Sequence, residues 1–432
     1  MVGIVLLGIF VVLLVFGAPI AICLGMSSVA AILVQGAGKP IEAIMSVLPR
    51  LCSSASSKFV LLAIPFFILS GNVMEKAGIS GRLINLAEKC LGHIKGGMAI
   101  VCVAVSCFFA AISGSGPATV AALGLIMIPA MIKAGYSPAF SCALMAAGGA
   151  IGVVIPPSIT FVVYGSIADA SITNLFISGL VPGLLMGAGL IAAALILGRK
   201  MDLTVMPRAT GKERWKAFKD AFWGLLMPVI ILGGIYGGIF TPTEAAAVSA
   251  VYGLVVGVFV YKKMRLGQFI TCIINSMAQN GQVLFVMIAA GLFAWMVSVT
   301  GMTEAIGNAL ISISGGNLIV FLLICNVILL LAGCVIDANS ALYILVPILL
   351  PVAKQLGYDV IAFGLMMCVN LAIGLVTPPV GVNLYTACSI AKISLKDIIK
   401  DVLPLIIGLL IVLLLVTYVP QISLLLPSLL KG

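Results

Sequence analysis

The chain repeats itself after 222 positions, inside apolar sequence and with its interruptions in register. Without a gap, Pro129 pairs with Pro351, Gly135-Tyr136 with Gly357-Tyr358, Gly152 with Gly374, Pro156-Pro157 with Pro378-Pro379, and Pro182 with Pro404. Twelve identities fall between positions 121 and 157 and their mates. Apolar composition alone does not align that many helix-breaking residues. Membrane segments duplicated with Gly/Pro interruptions at matching places point to the substrate site of a secondary transporter.

A bilayer is the only solvent that suits the rest of the chain. Of its 432 residues 62% are hydrophobic and 8% charged, more apolar surface than one soluble core buries. The first segment, Ile4 to Phe16, has no basic stretch before it and runs into another apolar segment, Ile20 to Val34, so it is expected to stay rather than be cleaved as a signal peptide. The net charge of +10 does not indicate nucleic acid, because the basic residues sit in short connectors, where membrane topology accounts for them. Eleven cysteines are scattered singly without CxxC spacing and read as small buried hydrophobes, not as metal ligands or disulfides. The one imidazole, His93, lies in the polar stretch GHIKGG, a loop or headgroup position.

The pattern predicts an all-α polytopic membrane protein with spans at about 3–17, 20–36, 59–77, 139–168, 175–198, 222–240, 243–261, 279–299, 360–390 and 403–429. Two further apolar stretches, Ala99 to Ile132 and Leu318 to Ala353, are each about 35 residues and carry small polar residues at their centres. One helix of that length would overshoot the bilayer by about 20 Å, and two full spans would fall short. Each is therefore expected to be a re-entrant hairpin of two half-length helices, its tip at mid-depth and buried or lining a wet cavity. Amphipathic segments at Ile79 to Leu91 and Lys263 to Ile274 read as interfacial helices or as solvated connectors.

Charge tests this topology. Arg199, Lys200, Arg208, Lys212, Arg214, Lys216 and Lys219 form one basic connector, Lys262, Lys263 and Arg265 a second, and Lys392, Lys396 and Lys400 a third. All three share the cytoplasmic side only if Leu318 to Ala353 returns to its own side. Five crossings then separate the two tips, so the repeats are inverted and both termini are non-cytoplasmic. Lys39, Arg50 and Lys58 fall on the wrong side in this scheme. The expected organisation is N-terminal scaffold helices with an interfacial arm (1–98), a first transport repeat (99–198, hairpin 99–132, broken helix 139–168), a basic connector with second scaffold helices (199–317), and a second transport repeat with the C-terminal helix (318–432, hairpin 318–353, broken helix 360–390).

The interruptions carry the candidate chemistry. Ser113-Gly-Ser115-Gly-Pro-Ala-Thr119 sets three hydroxyls and two glycines where one helix ends and the next begins. Its free N–H groups and positive helix end suit a carboxylate, and the preceding carbonyls suit a sodium ion. The same residues also read as a small-residue packing motif. Gly148-Gly149-Ala-Ile-Gly152, followed by Pro156-Pro157-Ser158, breaks the next span and frees carbonyls; Gly374-Leu-Val-Thr377-Pro378-Pro379 does so again. Asp337 is the only acid in the second hairpin, flanked by Asn339 and Ser340, and has no counterpart in the first. It balances a cation, accepts hydrogen bonds from a hydroxylated substrate, or caps the second helix of its hairpin.

SGSGPATVAALG from Ser113, IPAMIKAGY from Ile128, GVVIPPS from Gly152, GCVIDANSA from Gly333 and GLVTPP from Gly374 resemble the large membrane subunit of tripartite ATP-independent periplasmic transporters. The turn from Gly17 to Gly25 and the AIPFFILSG stretch at Ala63 extend the resemblance over nearly the whole chain. It implies an elevator-type carrier in a bacterial inner membrane, driven by a sodium gradient. The implied partners are a small four-helix membrane subunit, of which this chain carries no segment, and a soluble periplasmic substrate-binding protein. Carried over by motif, Ser113, Ser158 and Asp337 would line the substrate pocket; Gly333, Gly374 and Thr377 would hold one sodium, and Ser113, Gly149 and Gly152 its symmetry mate. The implied substrates are organic acids, including C4-dicarboxylates and sugar acids such as sialic acid. A stand-alone organic-anion carrier is the alternative. An intramembrane hydrolase would need a paired catalytic set, which neither Asp337 nor His93 has, and closed hairpin tips make a poor channel.

Overall fold

The computed structural model describes residues 2–38, 40–199 and 201–431; among them it is helical, with no strand. Among the described residues, nine helices are long and apolar enough to cross a membrane. The sequence repeat recurs as a repeat of elements. Gly116–Lys133 and Ala338–Gln355 start and stop 222 positions apart, Pro138–Ile151 and Val360–Gly374 start together, and so do Ile20–Gln35 and Pro242–Val255, well outside the stretch of sequence identities. The duplication therefore includes the scaffold helices.

Each copy contains a hairpin followed by a broken span. The first hairpin is Gly97–Ser113 and Gly116–Lys133, the second Leu318–Val335 and Ala338–Gln355. Their arms of 17 and 18 residues, about 26 Å each, divide each apolar stretch in two as expected. The tips stop at mid-span, because each docks into the interruption of the broken span that follows. Those spans are Pro138–Ile151 with Ile159–Ala168, and Val360–Gly374 with Val382–Ala391; both interruptions hold the double proline, whose Pro156–Pro157 and Pro378–Pro379 bonds are cis.

Hydrogen bonds fix which ends of the molecule coincide. Around the base of the first hairpin, Thr204 N–H donates to Ala134 O (3.1 Å) and Met206 N–H to Gly92 O (3.3 Å). Lys89 pairs with Glu213 (3.4 Å), Tyr261 donates to Asp220 O (2.9 Å), and Cys142 Sγ, near the start of Pro138–Ile151, donates to Ala387 O (3.5 Å), near the end of Val382–Ala391. The three basic connectors thus meet at one end. At the other end Tyr358 donates to Thr417 O (2.7 Å), Tyr164 to Val360 O (2.7 Å) and Tyr418 to Ile319 O (3.4 Å), gathering the base of the second hairpin. The hairpins enter from opposite ends, as the charge argument required. Lys58, which donates to Ser166 O, sits at the end away from the basic connectors, where the sequence placed it against the charge rule. Lys39 and Lys200 lie outside the described residues.

At the basic end, Thr210 and Glu213 form a capping box that starts Gly211–Tyr236. The Thr210 backbone and hydroxyl, together with Lys89, hold the Glu213 carboxyl below its usual range. Two boundaries differ from the sequence reading. Lys263 to Ile274 is no separate interfacial element: Leu266–Val299 is one helix of 34 residues. The first copy breaks there at Ser57-Lys58, whereas the matching Gln279-Asn280 continues the helix. The last span is also two helices, Leu395–Tyr418 and Pro420–Lys431, because Pro420 supplies no donor to the preceding turn. Ile79–Leu91 is a discrete helix that buries Ile79, Leu83 and Ile84.

Candidate functional site

The first tip is built by what its residues permit. Gly114 turns the chain at φ +60°, Ser115 is extended, and Pro117 lies in the first turn of the return arm, where a missing N–H costs nothing. A Cβ on Gly114 would lie 2.7 Å from Pro157 O, so the tip seats directly in the interruption, and Ile159 N–H donates to Gly114 O (3.3 Å). Behind the tip, Ser113 Oγ lies 2.7 Å from Thr119 Oγ1, which donates to Ser115 O at 2.9 Å. Gly149 and Gly152 press in from the broken span: Cβ atoms there would stand 3.0 Å from Gly116 O and 3.0 Å from Ser115 O. Hydroxyl and carbonyl oxygens from two elements therefore converge where the glycines admit close backbone approach.

A residue from the other copy completes this cluster. Asn383, fully buried, donates Nδ2 to Ala146 O (3.1 Å), and its Oδ1 has no hydrogen-bond partner. A methyl group on Gly116 would meet both ends of this amide at 3.1 Å. Sequence reasoning passed over Asn383 because its mate is Phe161, so repeat symmetry gave no hint; the available signal was an amide four residues beyond the second double proline, in apolar sequence. Thr119 stood inside the quoted tip motif and is drawn in by its neighbour Ser113.

The second tip is tighter. A Cβ on Gly374 would lie 2.5 Å from Gly333 Cα, so two backbones touch where the first copy has an oxygen cluster. Thr377 Oγ1 donates to Ile373 O at 2.7 Å, and Asn383 N–H to Leu375 O at 3.1 Å. Asp337 adopts the capping reading: its carboxylate accepts from Ser340 N (3.1 Å) and Ser340 Oγ (2.5 Å) at the start of Ala338–Gln355. Among the described residues no group of three or more His, Cys, Asp or Glu side chains is placed to hold a metal, so any ion here would be held by hydroxyl, amide and carbonyl oxygens.

Both tips close on one cavity of about 490 Å³, with the scaffold as its far wall. Ser113, Ser115, Gly116 and Pro117 line it from the first tip, Asp337 and Asn339 from the second, Thr160 from the first broken span, and Asn72, Glu75, Gln279 and Gln282 from the scaffold. Ser158 and Ser340 are fully buried away from the wall. Ser158 Oγ instead donates to Val153 O (2.5 Å) and accepts from Phe161 N (3.4 Å), holding the interruption in shape. Gly149, Gly152, Gly333, Gly374 and Thr377 also stand off the wall, where the tips dock.

The two tips are electrically unlike. Ser115 makes no side-chain cap, so the positive end of Gly116–Lys133 faces the cavity open to an anion, while the matching end of Ala338–Gln355 is occupied by Asp337. A second space of about 470 Å³, sharing Ala121 and Thr386 with the first, continues between Gly116–Lys133 and Val382–Ala391, whose far ends lie at the basic connectors.

Comparison with known proteins places this geometry. Residues 7–422 match the family model of the tripartite ATP-independent periplasmic transporter, DctM component. The chain is 45% identical over 421 residues to the isethionate TRAP transporter permease protein DctMQ of Oleidesulfovibrio alaskensis, covering 97% of this chain and 65% of that protein. It is 38% identical to the C4-dicarboxylate TRAP transporter large permease protein DctM of Rhodobacter capsulatus, over 99% of each chain. Identity to the sialic acid TRAP transporter large permease protein SiaM of Vibrio cholerae is 37%, over 87% of each. Among solved structures, the YdaH transporter of Alcanivorax borkumensis matches with a TM-score of 0.61 at 17% identity, over 89% of this chain and 88% of that one, a likeness of fold.

Proposed function

The chain belongs to the DctM-component family of tripartite ATP-independent periplasmic transporters, and from that premise we propose that it takes up a small organic anion coupled to sodium, by an elevator movement, in a bacterial inner membrane. Its relatives are named as permeases, a family of transporters and not of enzymes, so the hydrolase alternative lapses. The observation that carries the proposal is the pair of hairpin tips, entering from opposite ends, each seated in a broken span and both closing one cavity against the scaffold. Such a body can slide against the scaffold and present the same site to either side, which alternating access requires. The cluster of Ser113, Thr119, Asn383 and the carbonyls near Gly149 and Gly152 supplies the oxygen-rich environment of a sodium site, and the region of Gly333, Gly374 and Thr377 its counterpart.

The partners of this function are a small membrane subunit and a soluble periplasmic binding protein that delivers the solute. With the basic connectors cytoplasmic, both termini are periplasmic and the cavity faces inward. Candidate solutes are those of the relatives: C4-dicarboxylates, a sugar acid such as sialic acid, and isethionate. In proteoliposomes holding the complete system, replacing the external sodium gradient by potassium should reduce uptake to background; equal rates in the two salts would refute the coupling. A second expectation separates charge from capping at the second tip. Asp337→Asn keeps an N-cap of similar quality, so melting should stay within about two degrees while uptake falls at least about tenfold. Equal uptake would leave Asp337 as a cap alone.

A further inference from the structure

The cavity has a side chamber that the transport reading leaves unused. This space of about 230 Å³ is lined by Gln282, Val283, Val286, Asp337, Asn339 and Tyr343. It opens from the main cavity, with which it shares Gln282, Val283, Asp337 and Asn339. Tyr343 is only 7% exposed, yet its hydroxyl has no hydrogen-bond partner, and Asn339 Oδ1 beside it is also buried and unpaired. A buried polar group left unpaired costs about 1–3 kcal/mol. Two of them on one small chamber, beside an Asp337 carboxylate already paired with Ser340, mark a place that receives a partner during the cycle.

The chemistry of that partner follows from charge. Among the described residues, no lysine, arginine or histidine lines either the main cavity or the side chamber, and the two acidic side chains that do are Glu75 and Asp337. The uncapped helix end of the first tip can receive one anionic group. A second anionic group on the same solute would point at the second tip, where Asp337 already fills the helix terminus and no basic side chain lines the wall to offset it. Uncharged donors and acceptors meet no such opposition: a hydroxyl can donate to Asp337 or Asn339 Oδ1 and accept from Tyr343.

We propose that the chamber formed by Asp337, Asn339, Tyr343 and Gln282 is a subsite for the neutral, hydrogen-bonding end of the solute, and that the permease selects hydroxylated monoanions over dicarboxylates. This rests on the proposed function, in which the adjoining cavity holds an organic anion. The test uses the purified chain co-assembled with its small membrane subunit, whose melting is followed in sodium and in potassium with millimolar lactate, isethionate or sialic acid, and with succinate or fumarate. Stabilisation in sodium by a hydroxylated monoanion, without stabilisation by the dianions, is expected. Equal stabilisation by succinate overturns the subsite and leaves the transport proposal standing; no response to any anion counts against both. The same titration with Tyr343→Phe should shrink the preference for isethionate over ethanesulfonate, or for lactate over propionate, by about tenfold. An unchanged preference removes Tyr343 from the subsite, since lost packing alone would not distinguish a hydroxylated solute from its deoxy analogue.

Discussion

Gly374→Ala is expected to cut uptake by about tenfold to a hundredfold and to lower the melting temperature, although it adds a single methyl group. The added Cβ would lie 2.5 Å from both Gly333 Cα and Gly333 C and 2.8 Å from Gly333 O. These are backbone atoms, so no rotamer change relieves the overlap, and the second tip must lift from its broken span. Overpacking of this kind costs about 1–3 kcal/mol, and each 1.4 kcal/mol is a factor of ten in the population of the seated tip. Gly233→Ala is the control: that glycine is helical and exposed, a Cβ there meets nothing within 4 Å, and its backbone gains helix propensity. Uptake and melting measured on both variants decide the matter. Wild-type uptake by Gly374→Ala would mean that close apposition of Gly333 and Gly374 is dispensable to the cycle.

This contact also shows what the sequence could and could not disclose. The pairing of Gly152 with Gly374 and of the two double prolines was visible in the letters, and it located both interruptions to within a residue or two. Charge counting across the second apolar stretch was enough to turn it into a hairpin and so to invert the repeats. Helix ends set by local chemistry were less legible. The 34-residue helix Leu266–Val299 hides its continuity because polar Asn275, Ser276, Gln279 and Asn280 look like a connector, yet Ser276 Oγ bonds back to Cys272 O (2.6 Å) and the helix runs on. Ser158 looked like a ligand by position in its motif; its side chain is committed to its own backbone, with Oγ on Val153 O and Phe161 N. Spacing along a chain reports which residues share an interruption. It does not report which side of the backbone each one takes, because that depends on hydrogen bonds made five residues away.

Symmetry misleads most at the oxygen cluster of the first tip, and the expected result there is that Asn383→Ala raises the sodium concentration for half-maximal uptake by about tenfold or more. Asn383 is anchored from both sides, by Nδ2 on Ala146 O at 3.1 Å and by its own N–H on Leu375 O at 3.1 Å. Its Oδ1 is held among the Ser115–Gly116 turn and the Gly149 carbonyl with no donor to satisfy it. An acceptor fixed in that position costs about 1–3 kcal/mol unless something positive arrives, and the same range in ion affinity is about fivefold to 150-fold in half-saturation. Asn383→Asp keeps an oxygen at this place and loses the donor to Ala146, so it should recover sodium affinity relative to alanine while melting lower than the native chain. If both variants shift only stability and leave sodium dependence where it was, Asn383 is a strut between the copies. If alanine alone weakens sodium, the second copy supplies part of the ion site of the first, and an ion bound at one tip ties the two broken spans into the single body that must move.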